Sequence, residues 1–82
     1  MNYLVTGAAG FIGSHLCKKL IHGGANVIAL DAFTDFYSRS IKESNIQSVV
    51  NNPQFELIPA DILETDLDNL MDKVDVVFHL AA

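Results

Sequence analysis

Residues 5–16 read Val5-Thr6-Gly7-Ala8-Ala9-Gly10-Phe11-Ile12-Gly13-Ser14-His15-Leu16, and the fold turns on how this stretch is read. It follows an apolar run, Tyr3-Leu4-Val5, short enough to be a buried strand, and passes directly into a helical apolar pattern. Glycines in a strand-to-helix turn let main chain come close to a ligand, because they lack Cβ and tolerate positive φ. The helix beyond aims its free N–H groups and the positive end of its dipole into that turn. The expected occupant is the pyrophosphate of a dinucleotide.

Gly7, Gly10 and Gly13 are spaced G-x-x-G-x-x-G, which departs from the general G-x-G-x-x-G fingerprint. Three glycines alone would equally suit a turn that binds nothing. The dinucleotide reading needs a strand before, a helix after, and an acidic residue closing the next strand about 20 residues on. Asp31 closes the run Ala25-Asn26-Val27-Ile28-Ala29-Leu30 and so stands where that carboxylate belongs. There it can accept hydrogen bonds from both adenosine ribose hydroxyls and repel a 2′-phosphate, favouring NAD over NADP. The plainer reading of Asp31 is a loop aspartate that caps the next turn.

Working outward, the pattern is strand, helix, strand, helix, strand, short helix, strand. Strands are predicted near 2–6, 26–30, 54–58 and 74–80. The first helix, about 11–22, carries Ile12, Leu16, Cys17, Leu20 and Ile21 on one side and ends at Gly23-Gly24. Residues 33–38, aromatic and polar, read as a loop. A second helix is expected over about 38–50 from the ragged stripe Ile41, Ile46, Val49 and Val50, stopped by Asn51-Asn52-Pro53. Leu67, Leu70, Met71 and Val74 give a short third helix with Thr65 or Asp66 as its cap. The last strand, with Val74, Val76, Val77, Phe78 and Leu80, is apolar on both faces, as in a parallel sheet covered by helices. Alternating strands and helices with right-handed crossovers imply an α/β, Rossmann-type doubly wound parallel sheet, truncated after the fourth strand. Its expected order is 3-2-1-4, with ligand in the crevice where the order reverses.

Composition narrows the function classes. Eighty-two residues make one small domain at most, burying only about 60–65% of the unfolded surface. Half the residues are hydrophobic and 18% are charged, which describes globular material. A net charge of −5 argues against nucleic acid as a partner, since phosphate backbones need clustered Lys and Arg. Only Lys18 and Lys19 cluster, and a solvated helix face explains them. No run reaches the roughly 18 apolar residues of a membrane span, and Met1-Asn2-Tyr3 lacks the basic start of a signal peptide. The single cysteine, Cys17, reads as a small core residue in a reducing compartment, hence a cytoplasmic protein.

Asp61-Ile62 follows the third strand at the edge where nucleotides bind. Asp61 can accept from the adenine amino group while Ile62 covers the ring; a turn or N-cap role suits Asp61 nearly as well. His79, inside the apolar run Val76-Val77-Phe78-His79-Leu80, reads as a hydrogen-bonded structural group, His15 similarly, and His22 as a surface residue. No spacing of His, Cys or carboxylates suggests a metal, and no Ser/His/Asp arrangement is supported.

Taken together, residues 6–16, Asp31, Asp61-Ile62-Leu63 and His79-Leu80-Ala81-Ala82 resemble the extended short-chain dehydrogenase/reductases. Within them the chain looks most like the NAD-dependent epimerase/dehydratases acting on nucleotide sugars. Phe36-Tyr37-Ser38-Arg39-Ser40-Ile41-Lys42 is similar to the region after the second strand of UDP-glucuronate 4-epimerases. The resemblance spans the whole chain. It implies that backbone at Phe11 and Ile12, beside Gly7, Gly10 and Gly13, meets the pyrophosphate, Asp31 the ribose, and Asp61 and Ile62 the adenine. Leu80, Ala81 and Ala82 would then lie along the nicotinamide half.

The family's catalytic Tyr-x-x-x-Lys is missing: Tyr3 opens the first strand and Tyr37 is followed four positions later by Ile41. Residues 1–82 therefore read as the N-terminal portion of an NAD-binding domain, with no second domain and no catalytic residue. The nucleotide sugar would be met only by a longer parent, and the chain alone is expected to be inactive. Two other readings stand beside this one. The chain would be a stand-alone NAD-binding module, or a structural unit that self-associates through the open edge of its fourth strand.

Overall fold

The computed structural model describes residues 1–32, 39–61 and 66–80. Four strands, β1 (Asn2–Thr6), β2 (Asn26–Leu30), β3 (Phe55–Ile58) and β4 (Val76–His79), alternate with helices α1 (Phe11–His22), α2 (Arg39–Ile46) and α3 (Leu67–Met71). The strands form one parallel sheet in the order β3-β2-β1-β4, the expected doubly wound arrangement.

Alternating side chains divide the sheet into two faces. Val5, Val27, Ala29 and Phe55 pack with Cys17 and Ile21 of α1 and with Ile46 of α2 and Val49 just beyond it. On the opposite face Leu4 and Leu30 meet Leu70 of α3, flanked by Ile28, Ile58 and Val74. Among the described residues, one face is thus covered by two helices and the other by a single short one. The fourth strand departs from expectation for this reason: Val77 remains 38% exposed at the sheet edge, and Leu80 is exposed beyond it.

Two further expectations are corrected. Ile12 does not join the buried side of α1; it is 70% exposed, and the inward face is Gly13, Ser14, Cys17 and Ile21. The stripe is rotated because Gly13 must face the β1–α1 turn. The second helix stops at Ile46 rather than near 50, and Val49 and Val50 donate back to the Ile46 carbonyl in successive turns. Val49 stays buried without being helical. The loop expected over 33–38 and the cap Thr65 lie outside the described residues; Asp66 does cap α3, accepting from the Asn69 N–H at 3.3 Å.

A candidate dinucleotide site at the carboxyl edge of the sheet

The parallel register places every strand's carboxyl end on one edge. Thr6 is opposite Leu30 and His79, and Leu30 is opposite Ile58. The residues that follow, Gly7, Asp31, Asp61 and Leu80, therefore gather along this edge although they are far apart in sequence. That edge, at the reversal of strand order between β1 and β4, is where open α/β sheets take ligands.

The glycine turn is built from main chain. Gly7 has φ of 68°, a left-handed conformation in which side chains are strained. Its N–H donates to the Leu30 carbonyl at 2.9 Å, and its own carbonyl accepts from Gly10 N–H at 3.1 Å. Gly13 lies against this turn so closely that a Cβ there would stand 2.2 Å from the Gly7 oxygen and 3.0 Å from Ala8 Cα. The close approach sets the start of α1 directly over the turn. Gly10 is the N-cap residue and offers no side-chain cap, and the first turn of α1 contains no acid. The dipole end is thus uncompensated by the helix's own side chains, the arrangement an anion completes. Phe11 and Ile12 direct their side chains outward, 66% and 70% exposed, and Phe11 packs edge-on against His15 at 4.6 Å. His15, expected as a hydrogen-bonded structural group, is an exposed ring beside the turn, in contact with Phe11.

Asp31 is buried at the end of β2. Its Oδ2 accepts from the Ala9 N–H at 3.0 Å, which ties the carboxylate to the glycine turn. Its Oδ1 accepts from Lys42 Nζ at 2.9 Å across a short ion pair. Asn45, one helical turn beyond Lys42, donates to the Ala9 carbonyl at 3.0 Å. The α2 face bearing Lys42 and Asn45 thus clamps both the turn and the carboxylate. Lys42 and Asn45 were not singled out as site residues from the sequence, since nothing in the ragged pattern of α2 shows which face meets the turn. Their spacing of three, on the side of buried Ile46, was the available signal.

On the other side of β1, Thr6 Oγ1 lies 2.7 Å from His79 Nδ1 and accepts from the Leu80 N–H at 3.1 Å. His79 is held as the structural group expected of it, and the bond also fixes where the chain leaves β4. Cys17 is buried, and burial pushes its thiol up to about 12 against a smaller opposing effect from a backbone hydrogen bond, so it is a core residue and not a nucleophile. Asp61 is half-buried past β3. Ile62, Ala81 and Ala82 lie outside the described residues. Among the described residues no cluster of His, Cys, Asp or Glu is arranged for a metal, and no helix is long and apolar enough to cross a membrane. Among the described residues, a cavity of about 500 Å³ beside α2 and β3 is lined by Ser40, Glu43, Gln47, Leu57 and Pro59 among others, and by none of the described site residues.

The sequence matches the NAD dependent epimerase/dehydratase family over residues 3–82. It is 46% identical over 83 residues to a Bacillus subtilis protein named as an uncharacterized UDP-glucose epimerase, YtcB, covering 100% of this chain and 26% of that one. The fold superposes on UDP-glucuronic acid 4-epimerase from Bacillus cereus, solved with UDP-glucuronic acid and NAD, with a TM-score of 0.94 at 49% identity, covering 100% of this chain and 26% of the other. It also superposes on dTDP-glucose 4,6-dehydratase from Bacillus anthracis, solved with NAD, with a TM-score of 0.84 at 30% identity, over 100% of this chain and 27% of that one. The chain spans about a quarter of the length of these proteins. With a strand-end glycine turn, a buried carboxylate at the end of β2 and a family match over nearly its whole length, this chain belongs to the NAD dependent epimerase/dehydratase family.

Proposed function

We propose that residues 1–82 are the dinucleotide-holding part of an NAD-dependent enzyme that acts on nucleotide sugars. The observation that carries this reading is the hydrogen bond from Ala9 N–H to Asp31 Oδ2. It joins a phosphate-type turn and a ribose-type carboxylate into one rigid unit. The residues fit the group: a Cβ at Gly13 would force helix and turn apart, and no acid of α1 competes for the helix N-terminus.

In this reading the N–H groups of Phe11 and Ile12 face the pyrophosphate, and the glycines keep side chains out of its way. Asp31 accepts from the adenosine ribose hydroxyls; a carboxylate has about four acceptor sites, and Ala9 and Lys42 each engage one oxygen. Asp61 and Ile62 serve the adenine, and Leu80, Ala81 and Ala82 border the nicotinamide half. NAD, when bound, supplies a reversible hydride acceptor. The nucleotide sugar belongs to the longer parent protein, since residues 1–82 contain no Tyr-x-x-x-Lys pair. The single buried thiol supports a reducing, cytoplasmic setting.

Isothermal titration of the chain with NAD tests the reading; one-to-one binding with no turnover of an added UDP-sugar is expected. Absence of binding at saturating NAD by a folded chain would refute it. A second reading, self-association, is favoured by one observation, the uncovered Val77 at the edge strand β4. Sedimentation velocity with and without NAD should reveal a concentration-dependent dimer, and a monomer at every concentration would remove that reading.

A further inference from the structure

We propose that Lys42 acts with Asp31 to determine which dinucleotide the site accepts: it holds the carboxylate in place for an unphosphorylated adenosine ribose, and it becomes the cation for a 2′-phosphate when that carboxylate is neutralised. The inference rests on the dinucleotide reading above and adds a residue to it.

The geometry has three parts. The Lys42 and Asp31 side chains are 12% and 3% exposed, so their charges are paired away from most of the solvent. The 2.9 Å contact between two largely buried charges keeps the partners together. Lys42 Nζ and the Ala9 N–H take opposite oxygens of the carboxylate, at 2.9 and 3.0 Å, and two donors on two oxygens fix its rotation. Asn45 on the Ala9 carbonyl, together with buried Ile46, holds the α2 face from which Lys42 extends. Lys42 is thus positioned on the same main-chain residue that anchors the carboxylate.

With Asp31 ionised, the pair presents an acceptor to ribose hydroxyls, and its negative charge stands against a 2′-phosphate. With Asp31 made neutral, the ammonium remains beside the same locus, and lysine binds phosphate as a point charge. Lys42 is therefore a positioning residue in the native site and a phosphate ligand in the altered one.

The test titrates the full chain and its Asp31→Asn, Lys42→Met, Lys42→Arg and Asp31→Asn/Lys42→Met variants with NAD and with NADP, folding being followed by far-UV circular dichroism. Asp31→Asn should shift the NADP-to-NAD preference by roughly tenfold or more, the scale of one charge-assisted hydrogen bond. That gain should vanish in the double variant. Lys42→Met should lose roughly tenfold in NAD affinity, and Lys42→Arg should restore it. An equal NADP gain in the double variant, or NAD affinity in Lys42→Met equal to wild type, overturns the inference while leaving the dinucleotide reading intact. A folded wild-type chain that binds neither nucleotide overturns both. If Asp31→Asn does not fold, the comparison of Lys42→Met with Lys42→Arg on NAD decides the matter.

Discussion

Replacing Gly13 with alanine adds one methyl group, and the structure specifies what it strikes. The new carbon would lie 2.2 Å from the Gly7 carbonyl oxygen and 3.0 Å from both Ala8 Cα and the Gly7 carbonyl carbon. All three are backbone atoms of a turn tied to β2 by the Gly7 N–H to Leu30 bond, so no flexible side chain can give way. Relief requires α1 to move off the sheet by about 1 Å, loosening Cys17 and Ile21 from the core. Overpacking of this kind costs typically 1–3 kcal/mol, and here the rigid neighbours place it at or above the top of that range. Alanine's better helix propensity returns about 1 kcal/mol. The net expectation is a loss of about 2 kcal/mol, or roughly 10 °C in Tm for a domain of this size. Gly23→Ala is the control: its Cβ would meet only the Leu20 and Lys19 oxygens, at 3.5 and 3.6 Å, ordinary contacts. Urea unfolding followed by circular dichroism should show Gly13→Ala clearly destabilised and Gly23→Ala within about 0.5 kcal/mol of wild type. A Gly13→Ala protein as stable as wild type would refute the close approach on which the site's geometry depends.

Asp31→Ala should reduce NAD affinity by about two orders of magnitude in calorimetric titration, the value of two hydrogen bonds to a charged acceptor; unchanged affinity would remove the ribose role proposed for it. The same substitution should cost about 3 kcal/mol of stability in urea, because Lys42 and the Ala9 N–H lose their buried partner. Thr6→Val preserves shape but removes the oxygen shared by His79 and the Leu80 N–H, and should cost about 1–2 kcal/mol; an unmoved urea midpoint would show the bond to be dispensable. Cys17 should resist a thiol reagent at pH 8 until urea unfolds the chain, since its side chain is buried and its thiol protonated. Its raised value also sets a sign: the folded state holds the thiol proton from 9.0 to about 12 while the unfolded state releases it. Stability should therefore fall as pH rises through that window, by up to about 1.4 kcal/mol per pH unit, and Cys17→Ala should lose that slope.

Much of this molecule was legible in one dimension because its physics is local or periodic. Apolar runs of strand length, a helical pattern after the glycines, and Gly23-Gly24 behind it placed β1, α1 and β2 residue by residue. A parallel sheet with short crossovers has few topologies open to it, so the order β3-β2-β1-β4 followed. Asp31 could be singled out because the residue that follows a strand in such a sheet must lie at the ligand edge. His79 was legible as a structural residue, since a lone imidazole in an apolar strand needs a partner, and Thr6 is that partner.

Other features depended on assembly. Which residues of α1 face inward was decided by the contact of Gly13 with the Gly7 carbonyl, which rotates the helix and turns Ile12 outward. Where α2 ends was decided by Val49 reaching the core from a turn. The pairing of Lys42 with Asp31 and of Asn45 with Ala9 joins groups 11 and 36 residues apart through the docking angle of one helix. Sequence alone determined which elements form and which carboxylate ends at the sheet's edge, because periodicity and strand direction are properties of the chain. Only the tertiary structure decided what holds that carboxylate, because a buried charge finds its partner through packing and not through spacing.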